Sequence, residues 1–277
     1  MVLEQLLRVK FLEKHCYLSI FLGFFYTIIA AITSYIFFGK DLSLPMFFII
    51  SLLLVPTLLK LLSFEEKIES KDGTRHFFKD HKKIFETYVY ISIGIFIAYL
   101  IIMGFFSFQG YDVSEILNKQ VEIFGESIDK EKIISFEVNK LEQFLGIFTE
   151  NLKVSLIFFI LSIFFGAGAI FLIVWNVSIF SSFVFMFTQN LAKGITYSIS
   201  LLGSFALYII PEIAGFLLAA IAGGVLSKAV IEEKLFSKKF KNVLQDSILL
   251  LILSLILLLI AAFFESFIVT DLIKTII

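Results

Sequence analysis

Five long apolar segments constrain the fold more than any other feature of this sequence. They cover residues 16–38, 44–62, 88–106, 153–175 and 246–268. A helix needs about 20 mostly apolar residues to cross a bilayer. Hydrophobic residues make up 59% of the 277 residues and charged residues only 17%, an excess that a soluble core of this size could not bury. The sequence therefore predicts an all-α, polytopic transmembrane helical bundle, with residues 1–277 forming a single transmembrane domain.

The first apolar segment is predicted to be a retained span. It exceeds the roughly 7 to 15 apolar residues of a signal-peptide core and lacks a small-residue cleavage site. The chain has one cysteine, Cys16, at the edge of this segment, so an internal disulfide is excluded.

The distribution of lysine and arginine predicts which side of the membrane each connection faces, because short basic loops stay in the cytoplasm. Three basic residues precede the first segment, seven lie within 60–86 and five within 228–245. The connection 107–152 instead carries four lysines against nine acidic residues. We therefore expect a multi-pass protein of the cell (cytoplasmic) membrane with its N-terminus inside.

Residues 177–230 are apolar but do not divide simply into spans. Breaks at 189–194 and at Pro211-Glu212 leave three pieces, 178–188, 195–210 and 213–230. Because both flanking connections are predicted to be cytoplasmic, the number of crossings here must be even, and one piece does not span. We expect about 6 to 7 spans plus a broken or re-entrant element, a feature that marks the site in several transporter folds.

Two connections carry helical patterns of their own. Residues 107–152 are predicted to form acidic extracytoplasmic amphipathic helices, beginning with a capping box at Asp112 and Glu115 and leading directly into the span at Lys153. These helices either cover the outer surface of the bundle or bind a partner. Residues 63–86 are predicted to form a charged cytoplasmic helical hairpin that turns at Asp72-Gly73.

The sequence contains no pattern typical of catalysis or of a bound cofactor. The histidines, His15, His76 and His81, lie outside the spans, and the last two are not spaced as zinc ligands on one helix face. We expect these two histidines and the Glu65-Glu66 pair to be solvated. A net charge of −1 offers no basic face to nucleic acid. We therefore predict no catalytic residue, no metal and no cofactor.

Glu212 is the ionisable residue singled out within the stretch 177–230. A charged group at membrane depth is costly and normally faces the bundle interior or a cavity. Pro211 disfavours helix in the residue before it, which would place Glu212 in the first turn of a new helix. Three interpretations stay open: a helix-capping residue, a proton or ligand site, and a polar clamp to Asn176.

Small residues recur at every fourth position after Glu212. They are Gly215, Ala219, Gly223 and Ser227. Such a stripe lets another helix approach closely, and its expected partner is the 166–169 patch, which contains Gly166 and Gly168. The pattern fits a contact within one chain and a contact between two copies equally, so a homo-oligomer stays open.

The segment that starts at Pro211 resembles a known family. Pro211-Glu212-Ile213-Ala214-Gly215, continuing to Ala222-Gly223-Gly224, is similar to the P-E-I-x-G…A-x-x-A-G-G block of archaeal members of the stage II sporulation protein M-like family. Asn176 resembles the family's N-G position, with Val177 in place of glycine, and Ile209-Ile210 replaces the usual His-Gly. The resemblance covers roughly residues 151–230 and implies a polytopic membrane protein. The sporulation namesake acts as a membrane scaffold for enzymes that remodel peptidoglycan.

Two functions of different classes are consistent with these observations. A non-enzymatic scaffold or assembly factor would organise membrane or envelope proteins through its outer helices and its charged hairpin. A channel or secondary transporter would instead use the broken helix around Pro211 and Glu212. An enzyme is disfavoured because bases and metal ligands are missing from the spans. The lipid bilayer is the one partner that composition itself predicts.

Overall fold

The computed structural model describes residues 15–72, 77–127, 139–166, 169–191 and 195–272. Within these ranges the chain forms nine α-helices and no strand. The helices are α1 (Ser19–Phe38), α2 (Ser43–Asp72), α3 (Phe77–Phe108), α4 (Val113–Ile116), α5 (Asn118–Ser127), α6 (Lys140–Phe165), α7 (Ala169–Leu191), α8 (Ile195–Glu232) and α9 (Lys238–Phe263). A 3₁₀ turn, Cys16–Leu18, precedes α1, and a π-helical turn, Phe264–Val269, extends α9. The predicted all-α fold is confirmed.

Six of these helices are long and apolar enough to cross a membrane. Their qualifying ranges are Cys16–Phe38, Ser43–Ile68, His81–Phe108, Lys140–Phe165, Gly203–Glu232 and Lys238–Leu272. A seventh apolar helix, Ile170–Met186 within α7, is shorter. The chain is therefore a multi-pass membrane protein, as its hydropathy predicts.

The bundle has two ends. At the first, which we call the insertion end, α4 and α5 pack beside the start of α2, and Lys40 Nζ lies 4.4 Å from the centre of the Tyr111 ring. Lys140 Nζ, at the start of α6, lies 2.5 Å from Asp271 Oδ2 at this same end. At the second, which we call the opposite end, the Asn242 amide donates to the Ser70 carbonyl across 3.4 Å.

The span predicted at 153–175 is wrong, because the chain turns in its middle. α6 ends at Phe165, and Gly166 adopts a φ of 60° that residues other than glycine rarely reach. Gly166 packs against Leu59 and Ser227 toward the opposite end. The α7 helix then runs back to the insertion end, where Gln189 Nε2 donates to Ser107 Oγ across 3.0 Å.

The break predicted at Pro211-Glu212 is also wrong. The α8 helix continues through Pro211 from Ile195 to Glu232, so the pieces 195–210 and 213–230 form one helix. Proline removes one backbone hydrogen bond, but a full break would expose several polar groups where no water can satisfy them. The required even number of crossings is met by α7 and α8 as two antiparallel helices, and no re-entrant element occurs within the described part of 169–232.

The α8 helix lies at the centre of the bundle and α6 at its edge. In the apolar window of α8, 72% of the residues are buried, against 17% in that of α6. The buried side of α8 packs against α9 and α6 and also contacts α2 and α7. The region most similar to a known family is therefore the structural core.

The predicted extramembrane segments are largely continuations of membrane helices. α6 is unbroken from Lys140 to Phe165, as the spacing before Lys153 predicts. The two arms of the segment 63–86 belong to α2 and α3, and Gly73 of its predicted turn lies outside the described residues. Asp112 caps α4 by accepting a hydrogen bond from Ser114 N across 2.8 Å.

Candidate functional site

Two neighbouring helices lose regular hydrogen bonding near the same pair of acidic residues. Pro211 lacks the N–H that would bond the Leu207 carbonyl within α8. The continuation of α9 is wound as a π-helix over Phe264–Val269 and packs against α8. π-Helical turns inside α-helices are frequent at functional sites. Glu212 directly follows the proline, and Glu265 lies within the π-helical turn.

Glu212 and Glu265 lie near each other, so two ionised carboxylates at these positions would repel. Tyr208, one turn before Glu212 on α8, lies near both carboxyl groups. All three side chains are partly buried, beside an apolar cluster formed by Phe205, Ile209 and Val269. Within the described part of the chain, neither carboxylate has a hydrogen bond or an ion pair.

The polar clamp between Glu212 and Asn176 does not form. Asn176 Nδ2 donates to the Leu172 carbonyl of its own helix across 2.8 Å. Glu212 also lies in the middle of α8, not in its first turn, so the helix-capping interpretation is wrong as well. The third interpretation, a proton or ligand site, stays a prediction.

The small-residue stripe packs within the chain. A Cβ atom at Gly215 would lie 2.9 Å from Leu258 of α9, and one at Gly223 would lie 2.3 Å from the Phe159 carbonyl oxygen of α6. Ala219 is fully buried, and Ser227 faces Gly166. Gly168 lies outside the described residues. The stripe is therefore occupied by neighbouring helices and is not exposed for a second copy.

The family comparison covers most of this core. A model of the stage II sporulation protein M family matches residues 91–270, which is more than half of the chain. The chain belongs to the stage II sporulation protein M family. No curated protein sequence and no solved structure matches it. The resemblance seen at 151–230 is confirmed, and the family match extends it to α3 on one side and to Glu265 on the other.

Glu265 is the residue of this family member that sequence reasoning missed. It lies inside the predicted span 246–268, where an acidic residue among apolar ones is a detectable signal. Its proximity to Glu212 depends on how the end of α9 packs against the middle of α8. The sequence contains no pattern that brings these two positions together.

His76, His81 and the Glu65-Glu66 pair are predicted to be solvated, and that prediction is wrong for His81, Glu65 and Glu66. His81 Nδ1 lies 2.9 Å from Glu65 Oε1, and both side chains are buried. Glu66 is also buried, while His76 lies outside the described residues. The reason is that α2 and α3 continue beyond the predicted apolar segments 44–62 and 88–106 and bring these side chains inside the bundle. In the described ranges, no group of three or more His, Cys, Asp or Glu side chains could hold a metal ion.

A buried polar network fixes α5 to the bundle at the insertion end. Ser43 Oγ donates to Gln120 Oε1 across 2.6 Å, and Gln120 Nε2 donates to the Ser43 carbonyl at 3.1 Å and to Ser178 Oγ at 3.3 Å. Lys119 N donates to Ser43 Oγ at 3.1 Å. The Gln120 side chain is completely buried. The network joins α2, α5 and α7, so the connection after α3 is part of the packed bundle.

Proposed function

We propose that this member of the stage II sporulation protein M family is a non-enzymatic membrane scaffold that positions other membrane or envelope proteins. The observation that carries the proposal is that buried polar contacts fix the connections outside the predicted apolar segments, 107–152 and 63–86, to a close-packed bundle at its two ends. Gln120 does this at the insertion end, and the Glu65–His81 pair does so toward the opposite end. A platform that holds partners in a set geometry needs such rigid attachments.

Close contacts between helix backbones support a rigid bundle. A Cβ atom at Gly23 would lie 2.2 Å from the Ile91 carbonyl oxygen, and one at Gly94 would lie 2.1 Å from that of Ile20. The Gly223 contact joins α8 and α6 in the same way. Backbones that touch directly resist sliding because the interface has no side chain to repack. This rigidity favours a scaffold over a transporter that rocks between two states.

The first turns of α6 offer a surface for a partner. Leu141 is 56% exposed and Leu145 is 51% exposed, although both lie on the polar N-terminal extension of a span. Phe144, Gln143 and Lys140 face the end of α9. The two leucines therefore point away from the bundle, in agreement with the interpretation that the amphipathic helix binds a partner.

Photo-crosslinking in native membranes tests the scaffold. A photoreactive amino acid is placed at Leu141, at Leu145 or at Ile160, a lipid-facing control lower on α6. We expect one protein adduct shared by positions 141 and 145 and absent at 160. Only lipid adducts at all three positions would refute the proposal for this surface.

A second candidate function, transport of a proton or a cation, is favoured specifically by the Glu212–Glu265 pair. Two ionised carboxylates at membrane depth would repel strongly, so a bound proton or cation would stabilise them. The test is flux into vesicles that contain the purified protein, compared with Glu212→Gln and Glu265→Gln. Flux that either variant abolishes, without loss of folded protein, would favour transport. Equal passive leak in all three samples would exclude it for protons and for each cation assayed.

A further inference from the structure

The connection between α8 and α9 combines exposed apolar side chains with exposed lysines at the opposite end of the bundle. Ile231, Leu235 and Phe236 are 75%, 59% and 79% exposed. Lysines surround them at positions 228, 234, 238, 239 and 241, against two acidic residues, Glu232 and Glu233. Because α8 and α9 both cross the membrane, their connection lies where hydrocarbon meets headgroups.

The backbone holds Phe236 outward in an unfavourable conformation. Ser237 N donates to the Lys234 carbonyl across 3.0 Å, which closes a four-residue turn. Phe236 is the third residue of this turn and has a φ of 66°. Glycine is the usual residue there, because a side chain clashes with the backbone at positive φ. A large aromatic side chain at the tip of a strained turn indicates a role other than the folding of the turn.

The lysines do not stabilise the helix they begin. The first turn of α9 contains no acidic residue, whereas Lys238, Lys239 and Lys241 lie near the end where the helix dipole disfavours cations. Lys239 pairs with Glu233 across 3.2 Å. Lys234, Lys238 and Lys241 have no ion pair within the described part of the chain. Their charge therefore lacks a partner among the described residues.

We propose that this connection binds anionic phospholipid. The lysines contact headgroup phosphates, and Phe236 with Leu235 and Ile231 inserts among the upper acyl-chain carbons. The combination of basic and apolar groups matches an anionic bilayer surface in charge and in polarity, and each lysine near such a surface strengthens binding about fivefold. The proposal does not depend on the scaffold function.

Fluorescence quenching by brominated lipids tests the proposal on the full chain. Trp175 is the only tryptophan, so Phe236→Trp in a Trp175→Phe background places the single indole at the turn. The protein is reconstituted in bilayers in which either phosphatidylglycerol or phosphatidylcholine is brominated at the same mole fraction. We expect phosphatidylglycerol to quench more strongly, with a preference of about fivefold for each lysine that acts.

Two variants separate lipid recognition from a structural role. The triple change Lys234→Gln, Lys238→Gln and Lys241→Gln should lower the quenching ratio toward one, whereas Lys119→Gln at the insertion end should leave it unchanged. Phe236→Gly should raise thermal stability in detergent by relieving the positive φ, while it reduces the amount of phosphatidylglycerol that copurifies. Equal quenching by both lipids in the parent protein would overturn the proposal. The absence of quenching by either lipid would overturn it as well. So would shielding of the indole by an added acidic protein when neither lipid quenches its fluorescence.

Discussion

At the scale of single residues, the closest helix contact is a reciprocal pair of glycines. Gly23 of α1 lies against the Ile91 backbone of α3, and Gly94 of α3 lies against the Ile20 backbone of α1. A methyl group at either position would overlap a carbonyl oxygen, and neither helix can move without disturbing the other contact. Each helix contributes one glycine to this crossing, and a single glycine forms no stripe, so the crossing is not visible in the sequence.

Gly94→Ala should therefore destabilise the bundle by about 1 to 3 kcal/mol, as overpacking of a core does. Gly104 is the matched control, because it lies on the same helix with no atom within 4 Å of an added Cβ. Gly104→Ala should stabilise α3 by up to about 1 kcal/mol through helix propensity. The melting temperatures of the two purified variants check this, and a similar shift in both would contradict the contact.

Glu212 and Glu265 should be energetically coupled. At a pH where both groups are ionised, their carboxylates would repel, so Glu212→Gln or Glu265→Gln alone should remove the repulsion and raise the melting temperature. The double variant should gain little more, with a coupling energy of about 0.5 to 3 kcal/mol. Glu212→Gln with Glu232→Gln is the control, since 20 residues of helix separate these positions by about 30 Å. Additive effects in the first pair would show that the two carboxyl groups do not interact.

At the scale of elements, α5 depends on one buried side chain. Gln120→Leu would leave the Ser43 and Ser178 hydroxyls without their bonds to Gln120, and each lost bond costs about 1 to 3 kcal/mol when the group stays buried. We expect faster amide hydrogen exchange across 113–122 and little change in α8. Lys119→Gln is the control, because that side chain is exposed and bonds only to Glu122 at 2.7 Å. Unchanged exchange in Gln120→Leu would show that apolar packing alone holds α5.

The start of α4 should respond to acid. The hydrogen bonds from Ser114 lower the pKa of Asp112 below its usual value near 4. The cap therefore stabilises α4 above that usual value, and this stabilisation is lost as the pH falls through the lowered pKa. Because Asp112 is exposed, the effect amounts to about 0.5 kcal/mol. Exchange at residues 114–117, corrected for the intrinsic pH dependence, should accelerate on acidification in the parent chain but not in Asp112→Asn.

Turns and breaks are the elements whose positions the sequence patterns predict least accurately. The long apolar segments, the capping box at Asp112 and the continuity of α6 were all predictable, because each depends on local chemistry. The sequence patterns predict a break at Pro211, where the helix continues, and no break at Gly166, where the chain reverses. Proline deletes one hydrogen bond and is tolerated inside a packed membrane helix. Gly166 reverses the chain because glycine readily adopts the positive φ that this turn requires. The sequence predicts a packing patch at residues 166–169, but it does not predict the turn at Gly166.

At the scale of the whole molecule, the path of α7 sets the number of crossings. Phe38 and Asp271 both lie at the insertion end, beside Lys40 and Lys140 respectively, whereas α1 begins at the opposite end. The described chain thus enters at one end and leaves at the other. The described chain crosses the membrane seven times only if α7 crosses it in addition to the six longer helices.

Cysteine labelling of intact cells should detect this odd number of crossings. In a Cys16→Ser background, Lys234→Cys at the opposite end should resist a membrane-impermeant maleimide, and Ser114→Cys at the insertion end should react. These results would establish the inside location predicted for the basic connections. Asp271→Cys should then react like Ser114→Cys, because both lie at the insertion end. Reaction of Lys234→Cys together with Ser114→Cys would place the connection between α8 and α9 outside, which leaves only two crossings between these positions and would leave α7 embedded without crossing.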